Sequence, residues 1–246
     1  MKFDILTIFP RLFDSVLSEG LIAKAIENRV LSVSIHDLRK FSSDSRGSVD
    51  DVPYGGGPGM VMNPEPFVKA VKHITDERGV PDAVVLLSPQ GERFTHQAAV
   101  RLSHLDHVVL LCGRYEGIDE RVSELVVTEE ISIGDYVLTG GELPALVVLD
   151  SVGRQIKGVV GHSDSVKNDS FAKNLLDWPH YTRPADLDGS KVPEVLLSGN
   201  HAEIRLWRKR ESVMRTMERR PDLLSSGDMD SEELEIFKKL CDTTEN

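Results

Sequence analysis

Ala83-Val84-Val85-Leu86-Leu87-Ser88-Pro89-Gln90-Gly91 and Val108-Val109-Leu110-Leu111-Cys112-Gly113-Arg114-Tyr115-Glu116-Gly117 share one layout. Each is a short, unbroken apolar run that halts at a glycine-bearing turn, and Thr95–Leu105 between them has a helical pattern. A strand that alternates apolar with polar residues can leave one face in water, whereas a strand apolar at every position cannot. Strand, helix and strand in this form predict a parallel sheet covered by helices on both faces. Working outward, Phe3–Ile8, Leu31–Ile35 and Leu125–Thr128 read as further strands. Pro64–Arg78 and Pro144 to about Gly158 read as further helices. The expected fold class is α/β.

Three strand exits carry turn chemistry. Two are Ser88–Gly91 and Gly113–Gly117; the third is Ile131-Ser132-Ile133-Gly134-Asp135-Tyr136-Val137-Leu138-Thr139-Gly140-Gly141-Glu142-Leu143-Pro144. In open α/β sheets ligands bind beyond the carboxyl ends of the strands, so these loops are expected to converge on one site. The third run leaves a strand, turns at glycines and enters a helix whose early proline suits a first-turn position. Its main-chain groups can lie against a flat ligand, with apolar side chains on either side. It has no Walker lysine and no G-x-G-x-x-G spacing, so a phosphate cradle is a poor reading. A pocket for a small cofactor held by backbone is the better one.

Of 246 residues, 40% are apolar and 28% charged, which suits a soluble globular protein with one core plus a smaller domain. No apolar run approaches the length of a bilayer span, so no membrane partner is expected. Met1-Lys2-Phe3-Asp4-Ile5-Leu6 lacks the layout of a signal peptide and reads as a strand. Cys112 and Cys241 cannot form a disulfide framework or a zinc site by themselves. A reducing cytoplasm is the expectation.

The net charge of −11 argues against a general nucleic-acid binder, but its distribution is uneven. From His201 to Arg220 there are seven Lys/Arg against three Glu, a local +4, while Asp222–Asn246 carries eight Asp/Glu and two Lys. Val159–Asn174 loses periodicity and reads as a linker. The expected organisation is a sheet domain over 1–160, a linker over 161–174 and a mainly helical domain over 175–246. In that second domain, helices are expected at about His201–Arg220, stopped by Pro221, and at about Ser231–Cys241. On the first of these, Ile204, Leu206, Trp207, Val213, Met214 and Met217 fill one half of the wheel. Arg205, Arg208, Lys209, Arg215, Arg219 and Arg220 fill the other. Either this is a solvated charged face, or it contacts phosphates. The scarcity of acid on it within an otherwise acidic chain favours phosphate contact no more than evenly.

Tyr54-Gly55-Gly56-Gly57-Pro58-Gly59-Met60 is either a cover for a substrate or a connector that needs positive φ. Eight histidines are scattered without metal-ligand spacing, and no G-x-S-x-G elbow supports serine hydrolase chemistry. More telling is Asp169-Ser170-Phe171, followed by Leu175-Leu176-Asp177-Trp178-Pro179-His180-Tyr181-Thr182-Arg183-Pro184. Acidic, aromatic and basic groups crowd there beside the linker, where clefts form. On spacing alone, a loop Asp such as Asp169 reads as a helix cap or turn residue more readily than as a base.

These residues resemble the bacterial tRNA (guanine-N1)-methyltransferases of the TrmD type, in the SPOUT superfamily. The likeness is carried by Ile8-Phe9-Pro10, Asp51–Met60, Leu87–Gly91, Cys112–Arg121, the Ile131–Pro144 run, Asp169–Pro184, Ser198-Gly199-Asn200-His201 and Arg219–Leu224. It implies a SPOUT-type parallel sheet with a deep trefoil knot and a small, mainly helical C-terminal domain. It also implies a homodimer with each active site across the interface, S-adenosylmethionine as methyl donor, and N1 of tRNA guanosine 37 as acceptor. By position, Leu87, Ser88, Gln90, Gly113, Tyr115, Glu116, Ile133, Gly134, Tyr136, Leu138, Gly140, Gly141 and Pro144 line the cofactor pocket. Ser132, Asp135 and Val137 are taken with them as members of the same run. Asp169 corresponds to the general base and Arg154 to the cation that stabilises charge on guanine O6. His180, Arg183, Arg205, Arg208, Lys209 and Arg215 are the candidate tRNA contacts. Mg²⁺ is implied as well, with Glu116 the candidate contributor.

One departure stands out. Lys173-Asn174 occupies the place of the family's acid-glycine pair, and Asn can hold the left-handed backbone that such a turn needs. Two other readings stay open: a non-catalytic RNA-binding module with a vestigial cofactor pocket, and a dinucleotide-dependent oxidoreductase, against which the missing glycine fingerprint counts.

Overall fold

The computed structural model describes residues 1–161, 166, 169–226 and 229–244. The chain divides into two compact units, Met1–Gly161 and His162–Asn246. Part of the linker expected over 161–174, namely 162–165, 167 and 168, lies outside the described residues.

Five parallel strands form the sheet of the first unit: β1 (Lys2–Thr7), β2 (Ser32–Asp37), β3 (Ala83–Arg93), β4 (His107–Cys112) and β5 (Glu129–Ser132). Their order across the sheet is β2-β1-β4-β3-β5, so β3 and β4 are parallel neighbours joined by a helical crossover. The unbroken apolar runs have the expected consequence. Val108, Leu110 and Cys112 enter a core on one face, and Val109 and Leu111 enter a second core on the other. Helices α1 (Gly20–Glu27), α3 (His96–Ser103) and α5 (Glu142–Gln155) supply the first core with Ile22, Ala25, Ala99, Leu102, Ala145, Val148, Leu149 and Val152. The helix α2 (Pro64–Arg78) and the short α4 (Arg121–Val126) close the second with Phe67, Ala70, Val71, Ile74 and Val122. On α5 the buried positions Ala145, Val148, Leu149 and Val152 repeat at helical spacing, which seats the helix on the sheet.

Two expected boundaries are corrected. Leu125–Thr128 is not a strand: Leu125 and Val126 finish α4, and β5 begins at Glu129. Leu125 is exposed, whereas Val126 and Val127 pack against the second core, so this apolar run serves a helix end and a connection. The helix expected from Pro144 to about Gly158 runs from Glu142 to Gln155, with Pro144 in its first turn.

The sheet's carboxyl end is built by main chain packed on main chain. After Leu87, β3 bulges, and Glu92 resumes pairing opposite the same Ile131 that Leu87 faces. Gly91 passes so close to Glu130 and Ile131 that a β-carbon there would meet the Glu130 carbonyl carbon at 2.5 Å. Gly141 is pressed in the same way onto Cys112, where a β-carbon would lie 2.7 Å from Cα. Alanine at either position would have to displace backbone.

In the second unit, α6 (His201–Arg219) is capped by Asn200, whose side-chain oxygen accepts from Ala202 N at 3.2 Å, and Pro221 follows the helix end. Then comes α7 (Ser231–Thr244). Before them lie a two-residue-per-strand hairpin, Asp186–Leu187 with Ser190–Lys191, and the short helix Glu194–Leu197. The inner face of α6 differs from the expected one. Val213 is fully buried, but Leu206 is about half exposed, and the buried neighbours of Val213 are Ser212 and Thr216.

Candidate functional site

A cavity of about 330 Å³ opens beyond the carboxyl ends of β3, β4 and β5. The three loops singled out in the sequence converge on it. Of the cofactor candidates, Leu87, Ser88, Gln90, Gly113, Tyr115, Glu116, Ser132, Ile133, Gly134, Tyr136, Val137, Leu138, Gly140, Gly141 and Pro144 line it. Asp135 does not; its side chain is exposed.

Local bonding explains the shape of the third loop. Ser132 Oγ accepts from Gly134 N at 3.3 Å, Tyr136 N donates to Gly134 O at 2.9 Å, and Gly141 N donates to Gly113 O at 2.9 Å. The run is thereby tied first to itself and then to the neighbouring loop. Tyr115 holds φ at +60, the left-handed region that costs a bulky residue energy, and it faces the cavity half exposed. The glycine-rich segment reaches this loop as well. Glu116 N donates to Met60 O and Met62 N to Gly117 O, and Gly59 lies against the Glu116 side chain. Gly55, Gly56, Gly57 and Gly59 all have positive φ, so the segment meets the conformational demand read from its composition and also borders the site.

Several wall residues were not named individually as site candidates from the sequence: Leu86, Pro89, Arg114, Gly117, Ile118, Glu120, Ser123, Glu130, Ile131 and Thr139. Most flank named positions and follow from the loops' reach. Arg114 is different, because its significance depends on Glu142, twenty-eight residues on. Glu142 is 1% exposed and accepts from Arg114 Nε at 2.9 Å. Next to this pair, burial pushes the Cys112 thiol well up and the Glu142 carboxylate adds to the effect. The thiol therefore stays protonated and is no nucleophile.

Among the described residues, no group of three or more His, Cys, Asp or Glu gathers to hold a metal ion. Arg154 lies in the last turn of α5, half-buried.

The second unit has its own cavity, of about 420 Å³, lined by Asp169, Lys173, Leu175, Leu176, Asp177, Trp178, His201, Ile204, Arg205, Arg208, Lys209, Ser212 and Glu233. Asp169 sits on a tight turn in which its carbonyl accepts from Ala172 N at 3.1 Å and Asp177 N donates to Ser170 Oγ at 3.0 Å. Asn174 has φ +54, so the departure at Lys173-Asn174 keeps the left-handed turn. Two hydroxyls on α6 clamp the main chain that follows. Ser212 Oγ donates to Leu176 O, and Leu176 N donates to Thr216 Oγ1 at 2.9 Å. The Arg208 guanidinium then lies over the Trp178 ring, 5.1 Å from its centroid. His180 and Asp177 hydrogen-bond at 2.7 Å. His180, Arg183 and Arg215 do not line the cavity; His180 and Arg183 are exposed and Arg215 is half-buried.

The basic face of α6 is less unbalanced than its sequence implies. Arg205 forms a two-pronged pair with Glu232, and Lys209 bonds Asp230 at 2.6 Å and Glu232 at 2.7 Å. The balancing acids, Asp230 just before α7 and Glu232 in its first turn, lie past the turn and off the helical wheel of α6. Hydrogen bonds from Arg205 and Lys209 draw the Glu232 carboxyl down to about 2.

A parallel sheet covered by helices, with a small cavity at its carboxyl ends, and a separate helical unit define an α/β protein with a cavity where open α/β sheets bind ligands; the fold alone does not choose its chemistry. The sequence places it further: the chain belongs to the TrmD family of tRNA (guanine-1)-methyltransferases, whose family model matches residues 1–226. Relatives named tRNA (guanine-N(1)-)-methyltransferase share this length. The one from Pelotomaculum thermopropionicum is 52% identical over 241 residues, covering 98% of this chain and 96% of its own. Those from Fervidobacterium nodosum and Bacillus subtilis are 53% and 51% identical, covering 98% and 91% of this chain and 98% and 92% of their own.

Proposed function

We propose that this protein transfers a methyl group from S-adenosylmethionine to N1 of guanosine 37 in tRNA. The observation that carries the reading is the cavity at the carboxyl end of the sheet. Its volume lies within the range of small-ligand pockets, roughly 300–1,000 Å³. Its walls offer main chain and apolar side chains together with Arg114, Glu116, Glu120 and Glu130, which fits a flat nucleoside with a short charged tail. When bound, S-adenosylmethionine supplies an electrophilic methyl on a sulfonium. The chain's own residues do the rest. The main chain of Gly134, Gly140 and Gly141 lines the pocket and is held there by protein packing, and Ile133, Leu87 and Leu138 exclude water from the ligand.

Guanine N1 carries a proton at neutral pH and cannot attack until it is lost. In this proposal Asp169 accepts that proton, a role worth about 10²–10⁴-fold. The Arg154 guanidinium stabilises the negative charge that grows on O6 as the proton leaves. The Lys/Arg of the second unit, with His180 and Arg183, contact tRNA phosphates.

The proposal includes the family's homodimer, its trefoil knot and a cytoplasmic setting. Phe9, Leu12, Leu143 and Val147 are large exposed apolar side chains where α5 packs beside the Pro10–Phe13 turn, and they support a second copy as partner. No helix among the described residues is long and apolar enough to cross a membrane.

Asp169→Ala tests the assigned chemistry. Calorimetry should show unchanged cofactor affinity, while turnover falls roughly 10²–10⁴-fold. Near-normal turnover would remove Asp169 as the base.

A further inference from the structure

Glu142 occupies the first position of α5, is buried, and has no part in the mechanism above. A carboxylate is costly to bury unless every lone pair facing the protein finds a donor. Here the donors come from two separate elements. Oε2 accepts from Arg114 Nε at 2.9 Å and Oε1 accepts from Thr7 Oγ1 at 2.7 Å. Thr7 Oγ1 in turn accepts from Phe9 N at 2.9 Å. Arg114 continues the network: its Nη1 donates to Thr139 O at 3.1 Å, and its guanidinium lies 4.6 Å from the Phe9 ring centroid. One buried charge therefore joins the end of β1, the Gly113–Gly117 loop and the Thr139–Gly141 turn.

The last two of these are walls of the same cavity. Their main chains meet at the same point, where Arg114 and Gly140 form an isolated antiparallel bridge and Gly141 N reaches Gly113 O. Gly140 has no room for a side chain, because Arg114 and Glu142 fill the space. Any acid in the first turn of α5 would favour the helix dipole. Only one that reaches Arg114 also fixes the separation of the two walls.

We propose that Glu142 is a positioning residue for cofactor affinity: through Arg114 it sets the spacing of the cavity walls without lining the cavity itself. This rests on the reading of the cavity as the S-adenosylmethionine site. A ligand that touches both walls loses binding when their spacing relaxes. The transfer step, carried by other residues, does not change.

Glu142→Gln keeps the size of the side chain and removes the charge. Its Kd and KM for S-adenosylmethionine should rise about tenfold, the equivalent of one charge-assisted hydrogen bond, with kcat within about twofold. The KM for tRNA should stay at the wild-type value. Calorimetry of the wild-type protein decides the underlying reading first. If S-adenosylmethionine gives no saturable heat, the pocket assignment fails and this inference fails with it. If the wild type binds, an unchanged Kd in Glu142→Gln overturns the inference alone, and so does a fall in kcat at unchanged Kd. Should Glu142→Gln not fold, Thr7→Val makes the same comparison, because it keeps the side chain's shape, lies outside the cavity and removes one of the two donors that hold Glu142. A raised Kd there supports the positioning role, and an unchanged one overturns it.

Discussion

Asp4 sits in the middle of β1 with no exposed surface, and three cations or donors from three other elements converge on it. His36 Nε2 lies 2.6 Å from one carboxylate oxygen; His107 Nε2 at 2.7 Å and Arg78 Nε at 3.0 Å face the other. Burial pushes this carboxyl up, but the hydrogen bonds from His36 and His107 and the charge of Arg78 outweigh it, leaving the group below its ordinary value. A depressed value in the folded state means stability that is present above the unfolded value of about 4 and is lost as pH falls through the folded one. Asp4→Asn strands buried donors and should cost about 3–5 kcal/mol near neutrality. Urea unfolding at pH 7 and at pH 3 checks this: the gap between wild type and variant should narrow at pH 3. A constant gap would mean that Asp4 acts through shape rather than charge. The sequence places Asp4 in a strand but not in this cluster, because its partners come from β2, β4 and the end of α2 and meet only in the folded sheet.

At the scale of elements, strands and helices of the first unit follow from pattern where apolar runs are unbroken and caps are explicit. Pro64 opens α2, and Thr95 Oγ1 caps α3 by accepting from Ala98 N. Pattern misleads at Leu125–Thr128, where a β-branched run closes α4 instead, since tertiary packing of Val126 and Val127 overrides local propensity. The α6 wheel misleads for a related reason: it counts charges on one helix and cannot see that Glu232 in α7 and Asp230 just before it return to meet Arg205 and Lys209. That pairing competes with phosphate for the same cations. Glu232→Gln should free Arg205, while Lys209 keeps Asp230, so that the plot of log affinity for tRNA against log salt steepens by roughly one unit. Filter binding across a salt series measures the slope. An unchanged slope would show that Arg205 does not contact the RNA backbone.

At the scale of the whole molecule, the sheet unit contains a cavity whose walls are the three strand exits legible in the sequence, and the helical unit contains Asp169 on a turn held by α6. The parallel sheet was readable because burial on both faces leaves a direct mark on composition. The wall spacing at Arg114 and Glu142 was not, since a contact across twenty-eight residues leaves no periodic trace. What joins the two units into one function is the proposed reaction, and the reaction can be measured. Transfer of labelled methyl from S-adenosylmethionine should be followed on two tRNA transcripts that differ only at position 37, guanosine in one and adenosine in the other. The account predicts stoichiometric labelling at N1 of the guanosine transcript and background labelling of the other. Equal labelling of both transcripts, or none of either by a protein that binds the cofactor, would contradict it.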